Sequence, residues 1–287
     1  MIEKIRKELE IFMELHNVSQ NALSRALGIN ASAISTFRKG EYKGNNEELA
    51  RKIELYIQNT NNKKTNSEMD TSKIYETNDK KMADFVINEA YVDGQIALIT
   101  GEAGSGKSTI VKEYAKNHPN CILIEATLHT TAKVLLEILS DRLHLSYQKS
   151  LHDKVVAIAK ELSRRDCLII IDEAEHLPLR ALEDLRRIWD FSQKGFVLVG
   201  TEILTKNLMG KNGDLKQLYS RIDSRWHLRG CDERECRAYF NEHIFNYTKG
   251  NFRSSAKLFR KAKRLASLHE VEVSYEIVKQ ASSMIIL

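Results

Sequence analysis

The stretch LITGEAGSGKSTIVKEY, residues 98 to 114, decides the fold. A short apolar run leads into Gly101-x-x-x-x-Gly106-Lys107-Ser108, and the helical pattern STIVKEYAK follows. Strand, glycine loop and helix in this order are the context in which the pattern binds phosphate. The glycines let backbone N–H groups turn inward, and the helix N-terminus adds its positive end. Gly101, Glu102, Ala103, Gly104, Ser105, Gly106, Lys107, Ser108 and Thr109 are therefore expected to cradle a nucleoside triphosphate. Lys107 should reach the β- and γ-phosphates, and Ser108 should ligate Mg²⁺.

The run LIIIDEAEHL, 168 to 177, supplies the acidic half. Four apolar residues predict a buried strand whose end presents Asp172 to Mg²⁺ and Glu173 to the attacking water, an arrangement that favours hydrolysis over binding alone. Glu175 and His176 read as ordinary residues of a first helical turn, since the letters are D-E-A-E-H and no second helicase-like half follows.

Working outward, the β-rich runs IALIT (96–100), CILIEA (121–126), CLIIID (167–172), FVLVGT (196–201) and RWHL (225–228) alternate with helical patterns. That alternation predicts an α/β fold with a parallel sheet. Beyond about residue 231 the pattern is wholly helical, which predicts a small helical lid.

The first 58 residues read as short helices. Within them NVSQNALSRALGINASAISTFRKGEYKGNNEELARKI, 17 to 53, has the spacing of a helix-turn-helix. Ser19 is expected to cap a helix with Ala22, Leu23, Ala26 and Leu27 facing inward, Gly28 to break it and Asn30 to cap the next. Ala33, Ile34 and Phe37 would anchor that second helix. Ser32, Ser35, Thr36 and Arg38 would then face a DNA groove, or the module is a protein-docking one. Nine Lys/Arg against eight Glu over residues 1 to 60 leave little charge for phosphate neutralisation. Residues 59 to 81, polar and nearly free of large apolar side chains, read as a flexible linker.

The chain has 287 residues and a net charge of +5. Residues 245 to 287 carry eight Lys/Arg against three Glu, a surplus equal to that of the whole chain. This basic tail is either a solvated helix face or a surface for a polyanion. Four cysteines without a C-x-x-C pair, no apolar stretch of membrane length and no secretory leader pattern predict a soluble protein of a reducing cytoplasm.

The strand order resembles the AAA+ branch of P-loop ATPases. That resemblance implies ATP as the nucleotide, Thr201 as a residue sensing the γ-phosphate, and Arg221 in QLYSRIDSRWHL as an arginine given to the neighbouring subunit, with Arg225 as its competitor. It also implies Arg253 as a second sensor at the start of a lid helix. A helix-turn-helix (1–58), linker (59–81), ATPase core (82–230) and lid (231–287) together resemble the transposition protein B family of phage Mu type, the target-selection ATPases. The pieces that carry this resemblance are AISTFRKGEYKGNNEEL, GEAGSGKST, LIIIDEAEHL and LYSRI. It implies a helical filament of the protein on double-stranded DNA, little sequence specificity, delivery of that DNA to a DDE transposase that is thereby stimulated, and disassembly on hydrolysis. Lys149 in LSYQKSLHDK and Lys133 in TLHTTAK would face DNA inside the filament. Two departures stand out: Thr201 replaces an amide side chain, and the Lys149 loop lacks a basic cluster. A helix-turn-helix regulator with an ATPase switch and a helicase-loader-like ATPase are the alternatives.

Overall fold

The computed structural model describes residues 2–67, 74–209 and 216–286, and the chain divides into two compact units, Met1–Thr71 and Ser72–Leu287. The first unit contains α1 (Ile2–Leu15), α2 (Gln20–Leu27), α3 (Ala31–Lys39) and α4 (Asn46–Ser67). Leu9, Leu23, Ile34, Phe37 and Ile53 are its fully buried centre. Ser19 Oγ accepts the Ala22 N–H (3.2 Å), and Gly28, at φ 65, ends α2 with its N–H on the Ser24 carbonyl. Asn30 stands at the N-cap of α3 but makes no side-chain cap bond. Of the α2 residues expected inward, only Leu23 is buried and Leu27 half-buried; Ala22 and Ala26 are exposed, because so short a helix presents a narrow stripe that one leucine fills.

The linker expectation differs from the observed elements at both ends. α4 continues to Ser67 because no glycine or proline stops it, so a polar composition that reads as linker is helical. Residues 68–73 lie outside the described residues. At the far end the second unit already begins before residue 82. Thr77 Oγ1 accepts the Lys80 N–H (3.1 Å), and buried Asp79 accepts from Trp226 Nε1 (3.0 Å) and from the N–H groups of Arg229 (2.7 Å) and Gly230 (2.8 Å).

In the second unit α5 (Asn78–Asp93) is followed by β1 (Ile96–Gly101), α6 (Lys107–Asn117), β2 (Cys121–Glu125), α7 (Ala132–Arg142) and α8 (Leu151–Arg164). Then come β3 (Leu168–Asp172), a 3₁₀ turn (Ala174–His176), α9 (Leu179–Ser192), β4 (Phe196–Gly200), α10 (Glu202–Met209), α11 (Lys216–Tyr219) and β5 (Ile222–Leu228). The lid holds α12 (Glu233–Tyr239), α13 (Phe245–Thr248), α14 (Phe252–Leu268) and α15 (Tyr275–Ser282).

All strand pairings are parallel and the order is β2-β3-β4-β1-β5, the parallel α/β sheet expected from the sequence. The central strands are apolar throughout because both faces are covered. Ile96, Leu98, Ile169, Ile171, Phe196 and Leu198 enter the core under α7, α8 and α9, while Ala97, Ile99, Leu168, Ile170, Val197 and Val199 pack with α5 and α6. β5 starts three residues earlier than RWHL indicates. Ile222 pairs with Ile96 across a bulge, and the alternating exposure of this edge strand hides its start in the sequence. The lid has its own core around Cys236, Ile244, Leu258, Ala262 and Val278. No helix among the described residues is long and apolar enough to cross a membrane.

Candidate nucleotide-binding site

In open parallel sheets ligands bind beyond the carboxyl ends of the strands, where the strand order reverses. Here that place lies beside β1, flanked by β4 and β5, and β1 ends on Gly101. Gly106, at φ 103, caps α6 without a side chain. A Cβ on Gly101 would lie 2.7 Å from Ser105 Oγ and 2.9 Å from the Leu228 carbonyl oxygen. One on Gly104, at φ 87, would lie 2.5 Å from Asn251 Oδ1. Both positions therefore require glycine. Lys107 is 6% exposed, and its Nζ donates to the carbonyls of Gly101 (2.7 Å) and Glu102 (2.9 Å). Burial pulls its pKa down, against the opposing pull of Glu173, Glu175 and Asp172. Ser105 Oγ is buried without a partner, while Glu102, Ala103 and Thr109 are exposed along the loop and first turn.

β3 carries Asp172 to the same end. Its Oδ1 accepts the Glu173 N–H (3.0 Å), and its Oδ2 is buried with no partner. Burial raises the Asp172 pKa, and the nearby Ser108 hydroxyl and the Glu173 N–H oppose that rise. A buried, half-satisfied carboxylate beside a serine hydroxyl is a hard-oxygen donor set suited to Mg²⁺. The glycine loop, Lys107 and the orphaned Ser105 Oγ likewise suit phosphate oxygens. Glu173 has a left-handed backbone, φ 54, and a partly exposed carboxylate 4.0 Å from His176 Nε2. Burial, followed by the charges of Glu175 and Asp172, raises its pKa.

Thr201 follows β4 at this end of the sheet. Its N–H donates to Glu175 Oε1 (3.0 Å), and its Oγ1 accepts the Ile203 N–H (3.4 Å) at the start of α10. Glu175 is thus no ordinary first-turn residue. It sits in a 3₁₀ turn and bonds to a strand end 26 residues away.

The lid reaches the loop from the other side. The Arg253 N–H donates to the Gly104 carbonyl (3.2 Å) and Asn251 Nδ2 to the Ala103 carbonyl (2.8 Å). The Phe252 ring lies against Gly106, 3.6 Å from where its Cβ would stand. Tyr75 stacks on Phe252 (6.2 Å, 12°) and contacts Tyr239 (4.5 Å) and Phe240 (5.5 Å). Sequence reading singled out Arg253 and missed Asn251, Phe252, Tyr75 and the role of Glu175. The only local signal was Asn251 ahead of an amphipathic helix, where its Oδ1 caps the Ser254 N–H (3.1 Å).

Arg221 immediately precedes β5, at the opposite end of the sheet from the loop: the strands are parallel, and Leu228 at the far end of β5 pairs with Gly101. Seven residue steps separate Arg221 from Leu228, roughly 20 Å along a strand. Its Nε lies 3.3 Å from Asp190 Oδ1 and its guanidinium 5.7 Å from the Trp189 ring. Arg225 is exposed on β5 opposite Leu98.

The residues expected at DNA are dispersed. Lys149 is exposed in the loop between α7 and α8, and Lys133 near the start of α7 lies 3.9 Å from Glu137. On α3, Ser32 is exposed and Ser35 half-buried. Thr36 Oγ1 donates to its own helix at the Ser32 (2.9 Å) and Ala33 (3.1 Å) carbonyls, and Arg38 Nη2 lies 3.7 Å from Glu10.

Residues 91–208 match the AAA domain family. The chain is 27% identical over 230 residues to the Mu-like prophage FluMu DNA transposition protein B of Haemophilus influenzae, covering 77% of each. It is 26% identical over 234 residues to the ATP-dependent target DNA activator B of Escherichia phage Mu, covering 78% of this chain and 72% of that one. The phage D108 protein of the same name matches to the same extent. The chain is thus similar to Mu-type transposition B proteins over most of its length. Among solved structures, the Aeropyrum pernix ORC2 protein with ADPNP and ADP shares the fold, with a TM-score of 0.54 at 16% identity over 76% of this chain and 71% of that one.

Proposed function

We propose that this chain acts in Mu-type transposition by using ATP and Mg²⁺ to hold and then release double-stranded DNA. With ATP it assembles on duplex of almost any sequence as a helical filament, delivers that DNA to a DDE transposase and stimulates it; hydrolysis takes the filament apart. The observation that carries this reading is α14. Its first turn contacts the phosphate loop through Arg253 and Gly104, and its later turns bear Lys257, Arg260, Lys261, Lys263 and Arg264. One rigid element thereby links the nucleotide site to a cationic surface. The similarity to proteins named target DNA activator, over a span well beyond the AAA domain, supports the same reading.

In this mechanism Lys107 gives phosphate oxygens the donors now spent on the Gly101 and Glu102 carbonyls. Ser108 and Asp172 hold Mg²⁺, which when bound supplies charge neutralisation at the phosphates. Glu173 accepts a proton from the attacking water, a task its raised pKa suits. Thr201 senses the γ-phosphate. Arg221, far from its own chain's loop, serves the nucleotide of a neighbouring copy. The Tyr75 and Phe252 rings flank the base. Lys149, Lys133 and the basic helix contact DNA phosphates weakly in each copy and strongly as an array.

Glu173→Gln tests the scheme. Hydrolysis should fall by about 10²–10⁴-fold, the contribution of a general base. ATP binding should persist, and the variant should stay on DNA. Negative-stain imaging and binding to scrambled duplexes of increasing length provide the readout. A preference for one short site, or DNA binding indifferent to ATP, would sink it.

A further inference from the structure

The turn after β3 holds Glu173 in a left-handed backbone that its surroundings must impose. Two residues on, Glu175 is bonded at two points and buried at a third. Its Oε1 accepts the Thr201 N–H (3.0 Å), its backbone carbonyl accepts from Asn207 Nδ2 (3.2 Å), and its Oε2 is buried against the end of β4 without a partner. The strand end is shaped for that carboxylate: a Cβ on Gly200 would stand 2.3 Å from Oε2. The Thr201 N–H is committed to Glu175, and the Thr201 hydroxyl accepts from Ile203. No other hydrogen bond ties the turn to the end of β4 among the described residues.

From this geometry we infer that Glu175 is a positioning residue for hydrolysis, a clamp between the turn that carries Glu173 and the end of β4 at Thr201. The base and the phosphate-sensing strand end are then held in one fixed relation across the site. The inference rests on the ATPase reading above and adds a residue to it. What the clamp needs is an acceptor at Oε1, so the amide of Gln can serve and the methyl of Ala cannot.

Three variants test it in the full chain. Glu175→Ala should lower kcat by roughly 10²-fold with little change in KM for ATP, the loss expected when a catalytic group is misplaced by about an ångström. Glu175→Gln should keep most of the activity. Adding Glu175→Ala to Glu173→Gln should cost nothing further, because no base is left to position. An independent readout is amide hydrogen exchange: protection of the Thr201 N–H should be lost in Glu175→Ala and kept in Glu175→Gln. The inference is overturned if Glu175→Ala turns over ATP normally, if Glu175→Gln is as impaired as Glu175→Ala, or if the two losses multiply in the double variant. A parallel loss of ATP affinity and thermal stability in Glu175→Ala would make the residue merely structural. Absence of turnover in the unaltered chain would sink the parent reading and this one together, and needs no variant to be seen.

Discussion

Two helices of this chain carry small polar residues in their first turns, and the polar groups around them are used in opposite ways. At α6 the cap is a bare glycine, and the surrounding Ser105 Oγ and Asp172 Oδ2 are buried without partners. At and beside α3 several polar groups are bonded or paired within the unit. Gln20 Nε2 donates to the Ala31 carbonyl (2.6 Å), Thr36 bonds back onto its own turn, and Arg38 leans toward Glu10. Two guanidinium Nε atoms, of Arg6 and Arg38, are orphaned there, but each belongs to a group with another nitrogen near an acceptor or carboxylate. Buried unsatisfied polar atoms are costly and rare, so their clustering at α6 marks a place completed by a ligand. The α3 helix carries no comparable deficit. The nucleotide site is prebuilt, while in the proposed function contact with DNA depends on repetition along an assembly.

The largest expected effect asks whether the prebuilt site is complete within one chain. Arg221 is held by Asp190 and Trp189 at the wrong end of its own sheet. Arg221→Ala should lower kcat by about 10²–10³-fold, the usual loss on removing one donor to developing charge. Mixing it with Lys107→Ala should restore part of the activity, since each variant lends the intact half of a shared interface. Co-assembled, folded variants without such rescue would turn the assignment to Arg225 or to action within one chain.

The contrast between α6 and α3 also explains what could be read from the sequence. The phosphate loop and the acidic strand are contiguous, and their conformation depends on neighbours along the chain, so the parallel α/β fold and the glycine loop at the end of β1 were legible there. Asn251 and Ala103 meet across 148 residues, and Glu175 and Thr201 across 26, with no periodicity to announce either contact. The Asn30 cap illustrates the converse: a residue type well suited to a role stands in the right place and makes no bond. The polar end of α4 shows that composition without a breaker does not end a helix.

A smaller effect sharpens the lid's part in the prebuilt site. Asn251 does two things, accepting the Ser254 N–H as a helix cap and donating to the Ala103 carbonyl. Asn251→Asp keeps the acceptor and removes the donor, so thermal stability should hold while ATP affinity falls by about tenfold, the upper range for one lost hydrogen bond. Asn251→Ala removes both and should also cost about 1 kcal/mol of stability through the cap. Equal nucleotide affinity in Asn251→Asp and the unaltered chain, measured by calorimetry, would mean that the lid closes without this contact.

The smallest effect falls on the first unit. Residues 1 to 71 carry 11 Lys/Arg against 10 Asp/Glu. A net charge of one releases about one counterion per copy, so a chain starting at Ser72 should lose a log–log salt slope of about 0.9, which corresponds to about threefold in affinity between 50 and 200 mM salt. ATP-dependent filaments on long scrambled duplexes should persist. A helix that read bases in the major groove would contribute far more, of the order of 10³-fold between specific and non-specific sites. The measurement is duplex binding by both chains with saturating ATP across a salt series, beside imaging of the assemblies. Loss of all filaments in the shortened chain would show that α3 is a reader, and would favour a regulator over a target-delivery ATPase.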